Sequence, residues 1–248
     1  MSEPKFSSLD PAALALAALH GDALDAALAR RFTLTEVPIT VGAGASARTF
    51  QLIKPSNADH LISEADYVHD ERLPYWADLW PSARALAGAL LEEPSMGRTL
   101  LELGCGLGLD TTAAIAAGFS VTSTDYYEDA LHVARSNARR NLGVEPVVRM
   151  VNWRLWPDDI GTFDVVIAAD VLYEKEYATL VAACLARALR DDGVALVADP
   201  GRLALPAFKE HLPQVGLYIE SSTTVPFEEG PVKQQVQIMR IRKADGAG

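Results

Sequence analysis

The sequence predicts an α/β protein: a mostly parallel seven-stranded sheet with helices on both faces and an antiparallel C-terminal strand, preceded by an N-terminal helix and a β-hairpin. Three observations carry this. From Arg98 onward, short apolar runs alternate with longer helical segments, the pattern of parallel strands joined by crossover helices. A glycine-rich loop, LELGCGLGLD from Leu101 to Asp110, falls between the first strand and first helix of that series. The last two strand-like segments, GLYIESSTTV and VKQQVQIMRIR, are separated only by the turn-like PFEEGP, so they pair antiparallel.

The first 32 residues contain an Ala/Leu-rich stretch read as a helix lying on the domain. Its apolar core resembles a signal peptide in length, but Glu3 and Pro4 spoil a basic leader and Gly21–Asp22 is a poor cleavage site. FTLTEVPITV and ARTFQLIKP alternate apolar and polar residues around GAGAS and read as a hairpin. The acidic stretch from Ser56 to Arg72 lacks periodicity and reads as loop. Pro81 stands where a helix can start, and SARALAGALLEE continues it. The alternating series follows: strands RTLLEL, GFSVTSTD, PVVRMVNW, FDVVIAAD and GVALVADP, with helices after the glycine loop and over EDALHVARSNARRN, KEYATLVAACLARALR and RLALPAFKEHL. Residues 1–73 are expected to form an extension and 74–248 the main domain.

A chain of 248 residues with 49% hydrophobic residues can bury one large core. The net charge of −11 opposes undirected binding to nucleic acid or anionic lipid. Two cysteines and five scattered histidines give no disulfide framework and no metal-ligand spacing, so no metal is expected. No run approaches the ~18 apolar residues of a membrane span. The expected location is cytoplasmic.

Gly104, Gly106 and Gly108 form G-x-G-x-G after a strand, where glycine permits a tight turn and close ligand approach. Asp125 ends the next strand 21 residues after the first glycine, a spacing that sets a carboxylate beside the ribose of a nucleoside. Dinucleotide and S-adenosylmethionine (SAM) sites share this plan. A dinucleotide fingerprint wants its third glycine at position 109, where Leu109 stands, and Glu102 is an odd neighbour for a pyrophosphate. A carboxylate there suits a cofactor with an ammonium and a sulfonium and no phosphates. The alternative is a glycine turn with no ligand.

LELGCGLG with Thr124–Asp125 resembles the first two motifs of class I SAM-dependent methyltransferases, with their Rossmann-like sheet. The span from Pro74 to Arg242 resembles the seven-β-strand protein-lysine methyltransferases through PYWADLWPSARALA, LELGCGLG, Asn152–Trp153 and ADVLYE, an Asp-x-x-Tyr signature. ADPGR, from Ala198 to Arg202, is similar more narrowly to the electron-transfer flavoprotein β-subunit lysine methyltransferases and their bacterial relatives. The resemblance implies SAM as cofactor, S-adenosylhomocysteine as product, and a protein substrate, an electron-transfer flavoprotein β-subunit-like partner being one candidate. It implies Trp80 near the sulfonium, with Glu102, Gly104, Cys105, Gly106 and Gly108 cradling methionine and ribose. Asp125 would take the ribose hydroxyls and Tyr126 cover the adenine. Asn152 and Trp153 would meet the adenine edge, and Ala169 would line the site. Asn152 stands where many members have aspartate, and the LDTTAA that follows the glycines replaces small apolar residues.

Asp170 and Tyr173 end the buried strand FDVVIAAD and are the expected catalytic pair. A lysine amine, with a reference pKa of about 10.4, arrives protonated and without a lone pair. Asp170 would attract and orient it, and Tyr173 would line a narrow aromatic channel. Acceleration would come from alignment, with neither residue assigned as general base. The structural alternative makes Asp170 a helix cap and Tyr173 packing. Arg202 would meet an acidic partner or pair with Asp199. Rival readings are a methyltransferase for a small amine or other metabolite, a SAM-binding module without catalysis, and an NAD-dependent dehydrogenase. A nucleic-acid methyltransferase is disfavoured because ADVLYE lacks the Pro-Pro-aromatic run of base-amine methylation.

Overall fold

The computed structural model describes residues 15–57, 61 and 75–244. Most of the acidic stretch read as loop, and the first half of the N-terminal Ala/Leu segment, lie outside the described residues. Six helices, α1 (Gly21–Arg31), α2 (Pro81–Leu90), α3 (Leu109–Ala117), α4 (Glu128–Leu142), α5 (Tyr177–Ala188) and α6 (Leu205–His211), accompany nine strands among the described residues. Strands β1 (Leu34–Val41) and β2 (Arg48–Pro55) form the hairpin. The main sheet contains β3 (Thr99–Leu103), β4 (Ser120–Asp125), β5 (Val147–Met150), β6 (Phe163–Ala169), β7 (Leu189–Asp199), β8 (Leu217–Glu229) and β9 (Val232–Lys243). Its order is β5-β4-β3-β6-β7-β9-β8. Strands β3 to β7 run parallel and β9 is antiparallel to both neighbours.

The chain turns one way from β3 to β4 and β5 and the other way to β6 and β7. This reversal opens a crevice at the carboxyl ends of β3 and β6. Both faces of the central strands are covered, so β6 reads FDVVIAA without alternation. On one face Val181, Leu185 and Phe208 of α5 and α6 pack against Leu101, Val166 and Val197. On the other, Leu86 and Leu90 of α2 pack against Leu100, Val165 and Leu196. Pro81 occupies the first turn of α2, where its missing N–H costs nothing.

The hairpin meets α4 through asparagines. Asn137 Oδ1 accepts from Ile53 N at 2.7 Å, and its Nδ2 donates to Ile53 O and Leu107 O at 3.0 and 2.9 Å. Asn141 repeats the exchange with Gln51 at 2.8 Å each way. The strand edge, buried at Ile53 and exposed at Gln51, is thereby satisfied without a third strand. α1 lies on the same helix, where Arg135 bonds Leu19 O and Glu145. The Ala/Leu segment is broken before α1: Gly21 takes φ 59° and gives its N–H to Glu145.

Several boundaries differ from the sequence reading, among them the start of β7, which begins at Leu189 inside the stretch read as the end of the preceding helix. The β8–β9 ladder continues to Glu229 opposite Val232, so most of PFEEGP is strand and the turn shrinks to Gly230–Pro231. Strand β5 stops at Met150, and Asn152 caps a separate 3₁₀ turn over Trp153–Leu155. Helix α5 starts at Tyr177, later than the lysine that opened the sequence pattern.

Candidate active site

A cavity of about 440 Å³ opens at the carboxyl ends of β3, β4 and β6. Its floor is the glycine loop. Gly104 and Cys105 both donate N–H to Thr124 O at 2.9 Å, which ties the loop to β4. Gly104 and Gly106 have φ 75° and 49° and face the cavity. A Cβ on Gly104 would come within 3.4 Å of Val171 and 3.6 Å of Trp153. Its absence keeps the floor open between those two walls.

The third glycine has another task. A Cβ on Gly108 would lie 2.6 Å from both Cα and Cβ of Ala134, and φ there is 75°. Gly108 thus permits the start of α3 to abut α4 and does not line the cavity. Glu102 and Cys105 also stay off the wall. Glu102 is buried behind the loop, where Thr111 donates its hydroxyl to the carboxyl and burial pushes its pKa up to about 8. Asp110 is equally buried, and burial with the adjacent Glu102 charge pushes it well up. The Cys105 thiol packs with Leu131 and Ala134, and burial raises its pKa far from a reactive thiolate.

Asp125 reaches the cavity from the end of β4. Its Oδ2 accepts from Gly106 N at 2.9 Å and its Oδ1 from Tyr127 N at 3.0 Å. Burial raises its pKa, opposed by these backbone donors. A carboxylate has about four acceptor sites, so capacity remains for two ligand hydroxyls. Tyr126, Asn152, Trp153 and Ala169 line the same space. Asn152 Oδ1 is already engaged with Arg154 N at 2.9 Å. The cation on the described wall, Arg154, is paired with Glu176. The wall therefore offers carboxylate, amide and aromatic groups in place of a phosphate clamp, a donor set that fits SAM.

Asp170 and Tyr173 stand on the wall beyond β6. Asp170 is 7% exposed and adopts φ 59°, an uncommon conformation for a non-glycine residue. Such strain costs about 1–3 kcal/mol and concentrates at functional sites. Its N–H donates to Ala198 O at 2.9 Å. Its Oδ1 receives Arg202 Nε at 2.7 Å, while Oδ2 is buried without a protein partner. The carboxylate does not cap α5, whose N-cap is Glu176. Arg202 accordingly pairs with Asp170, and Asp199 holds only its backbone N–H, at 2.7 Å.

Tyr173 belongs to an aromatic wall. Its ring lies 5.2 Å from Tyr75 and 4.8 Å from Tyr177; Tyr75 meets Trp80 edge-on at 5.9 Å, and Tyr177 meets Trp153 at 5.6 Å. Trp80 donates Nε1–H to Tyr75 O at 2.9 Å. Desolvation, then Tyr177, raise the Tyr173 phenol, so it stays neutral in the physiological range. Tyr75 and Tyr177 were not singled out from sequence. Tyr75 sits inside PYWADLWP, and Tyr177 opens α5 four residues after Tyr173, which lies before the helix, so no helical spacing links the two rings. Among the described residues no group of three His, Cys, Asp or Glu could hold a metal, and no helix is long and apolar enough to cross a membrane.

Residues 101–195 match the model of a methyltransferase domain. The chain is 32% identical over 157 residues to an electron transfer flavoprotein beta subunit lysine methyltransferase of Xenopus laevis, a match covering 61% of this chain and 63% of that protein. It is 28% identical over 165 residues to a protein-lysine N-methyltransferase of Schizosaccharomyces pombe, covering 60% and 52%. The chain thus spans less than two thirds of either relative. The fold matches a magnesium protoporphyrin IX methyltransferase from Synechocystis, solved with bound SAM, at a TM-score of 0.54 and 18% identity over 75% of this chain and 95% of that one. With the strand order and the glycine loop described above, these matches show a methyltransferase domain over residues 101–195 on a class I methyltransferase fold, in a chain similar in sequence to protein-lysine methyltransferases.

Proposed function

We propose that the protein transfers a methyl group from SAM to nitrogen, with a lysine side chain of a protein as acceptor. The observation that carries this is the wall beyond β6, where a buried carboxylate with one free oxygen stands beside four aromatic rings. A carboxylate oxygen and ring faces are suited to receive an alkylammonium and the amine it becomes.

In this reading residues 74–248 form the catalytic unit and 1–73 an extension. Gly104, Gly106 and Asp125 hold the methionine and ribose portions, while Tyr126, Asn152 and Trp153 receive the adenine. When bound, SAM supplies an electrophilic methyl group and leaves as S-adenosylhomocysteine. Asp170 Oδ2 accepts an N–H of the acceptor and aims its lone pair into the cavity. The arriving ammonium gives its proton to solvent, and once the side chain fills the gap between them Tyr75, Trp80, Tyr173 and Tyr177 exclude water, which favours the neutral amine. Tyr173 remains 38% exposed and Tyr75 40%, so this side of the cavity reaches the surface, as a side chain carried on a protein requires. The closed pocket of a small-amine enzyme would bury both rings.

The names of the relatives make the electron-transfer flavoprotein β subunit the first acceptor to try. The general test uses radiolabelled SAM in a desalted cell lysate, comparing wild type with Asp170→Asn. Asparagine tolerates the left-handed backbone at this position, so fold and cofactor binding should persist. A discrete labelled protein, absent with the variant, is expected. Label confined to small molecules would replace the protein acceptor with a metabolite.

A further inference from the structure

Asp170 and Asp199 end neighbouring parallel strands. Ala169 pairs with Ala198, so the two carboxylates follow side by side, 7% and 0% exposed. Asp199 Oδ1 accepts the N–H groups of Gly201 and Arg202 at 2.7 Å each. The loop so fixed returns the Arg202 side chain to Asp170 Oδ1 at 2.7 Å and lays its guanidinium 5.1 Å over the Trp80 ring. Each carboxylate keeps a buried Oδ2 without a protein partner.

We propose that Arg202 is a positioning residue of the acceptor site: it balances the charge of Asp170, so that Oδ2 can orient the acceptor amine without holding the amine's proton. This rests on the lysine reading above. A bare carboxylate beside an amine favours the ammonium, and an ammonium cannot attack a methyl group. A guanidinium bonded to that carboxylate cancels most of the effect. At an effective dielectric near 20, a unit charge about 6 Å away moves a pKa by roughly one to two units.

The other charged groups facing this point do not substitute for Arg202. Asp125 lies across the floor and Glu174 follows Tyr173 at the rim, both of them acids. Arg154 is paired with Glu176. Burial raises Asp199, and the nearby Asp170 raises it further. Tyr173 and Tyr177 are raised by desolvation and stay neutral, and Tyr75 contributes a ring edge. Among the described residues, Arg202 is the cation in contact with Asp170.

The test follows methyl transfer against pH. Wild type, Arg202→Gln and Arg202→Lys are incubated with radiolabelled SAM and desalted lysate proteins between pH 6.5 and 9.5, counting only label absent with Asp170→Asn. SAM affinity is measured by calorimetry on each variant and should agree within about twofold. Arg202→Gln should label at least ~10-fold more slowly at pH 7, with the gap closing to about threefold by pH 9.5, while Arg202→Lys runs parallel to wild type. A purely structural loss would give one ratio at every pH, and that result overturns the proposal. Should Arg202→Gln fail to bind SAM, Arg202→Lys decides: a profile displaced to alkaline pH despite the retained charge also overturns it. If wild type labels no protein, the lysine reading falls and takes this proposal with it. Labelling by wild type with an unshifted Arg202→Gln profile leaves that reading standing alone.

Discussion

Gly108→Ala tests whether the third glycine serves helix packing or ligand approach. The added Cβ would sit 2.6 Å from two atoms of Ala134, and one of them, Cα, is backbone that cannot rotate away. The left-handed φ of 75° adds its own cost, about 1–2 kcal/mol for an L-residue. Overpacking of this kind costs a further ~1–3 kcal/mol. The sum, about 2–5 kcal/mol, corresponds to a fall in Tm of roughly 5–15 °C for a chain of this size. Gly143→Ala is the control. Gly143 has nearly the same φ, 74°, but nothing lies within 4 Å of its ideal Cβ, so it carries the backbone cost alone. Thermal melts followed by circular dichroism give both values without any substrate. If Gly108→Ala melts no lower than Gly143→Ala, the close approach of α3 to α4 is not what requires glycine at 108.

Gly104→Ala should do the reverse, weakening SAM binding at least ~10-fold by calorimetry with a smaller loss of Tm, because its Cβ enters the cavity between Val171 and Trp153 at contact distances that flexible side chains can absorb. Asp125→Asn should weaken SAM binding by about 10- to 100-fold, since it removes the ionised acceptor for Gly106 and Tyr127 and for ligand hydroxyls; an unchanged Kd in calorimetry would remove Asp125 from the cofactor site. Tyr173→Phe should keep more than about half of the labelling rate, because the phenol is held neutral and its ring does the lining, whereas Tyr173→Ala opens the wall and should lose at least ~10-fold. Despite the cost of burial, bonds from Gly21 N–H, Arg135 and His20 hold Glu145 down to about 2, against 4.5 for the free group. Its contribution to anchoring α1 is complete above about pH 4.5 and disappears as pH falls toward 2, so Glu145→Gln should flatten the acid dependence of Tm across that window in scanning calorimetry.

The elements were legible where chemistry is local in sequence. Alternation marked the hairpin, the apolar run VVIAA marked β6, and Pro81 marked the start of α2. Asp125 was legible because strand, loop and helix lengths fix its distance from Gly104. The glycine loop was less so. Gly104 and Gly108 have the same φ and belong to the same motif, yet one faces ligand space and the other faces Ala134. The difference lies in a partner far along the chain. Glu102 shows a related gap: a carboxylate before the loop reads as a ligand group, and only the structure shows it buried behind Thr111. Asn137 and Asn141 sit in a polar helical stretch that reads as solvated, and their role emerges only once a strand edge lies beside them.

The pairing of Asp170 with Arg202 shows what strand order adds. Both residues were readable as rim residues, since each follows a parallel strand. Their contact depends on β6 and β7 being neighbours in register, which brings two carboxylates together in a place shielded from water. Such a pair is costly without a cation, and the loop after β7 supplies one. The same loop could have turned away from the sheet had Asp199 not accepted two of its N–H groups. Asp199 therefore acts on Asp170 through backbone geometry, and Asp199→Asn, which keeps an Oδ1 acceptor, should disturb the site far less than Asp199→Ala. Equal effects of the two in the same labelling assay would mean that the charge of Asp199, and not its hold on the loop, is what the site uses.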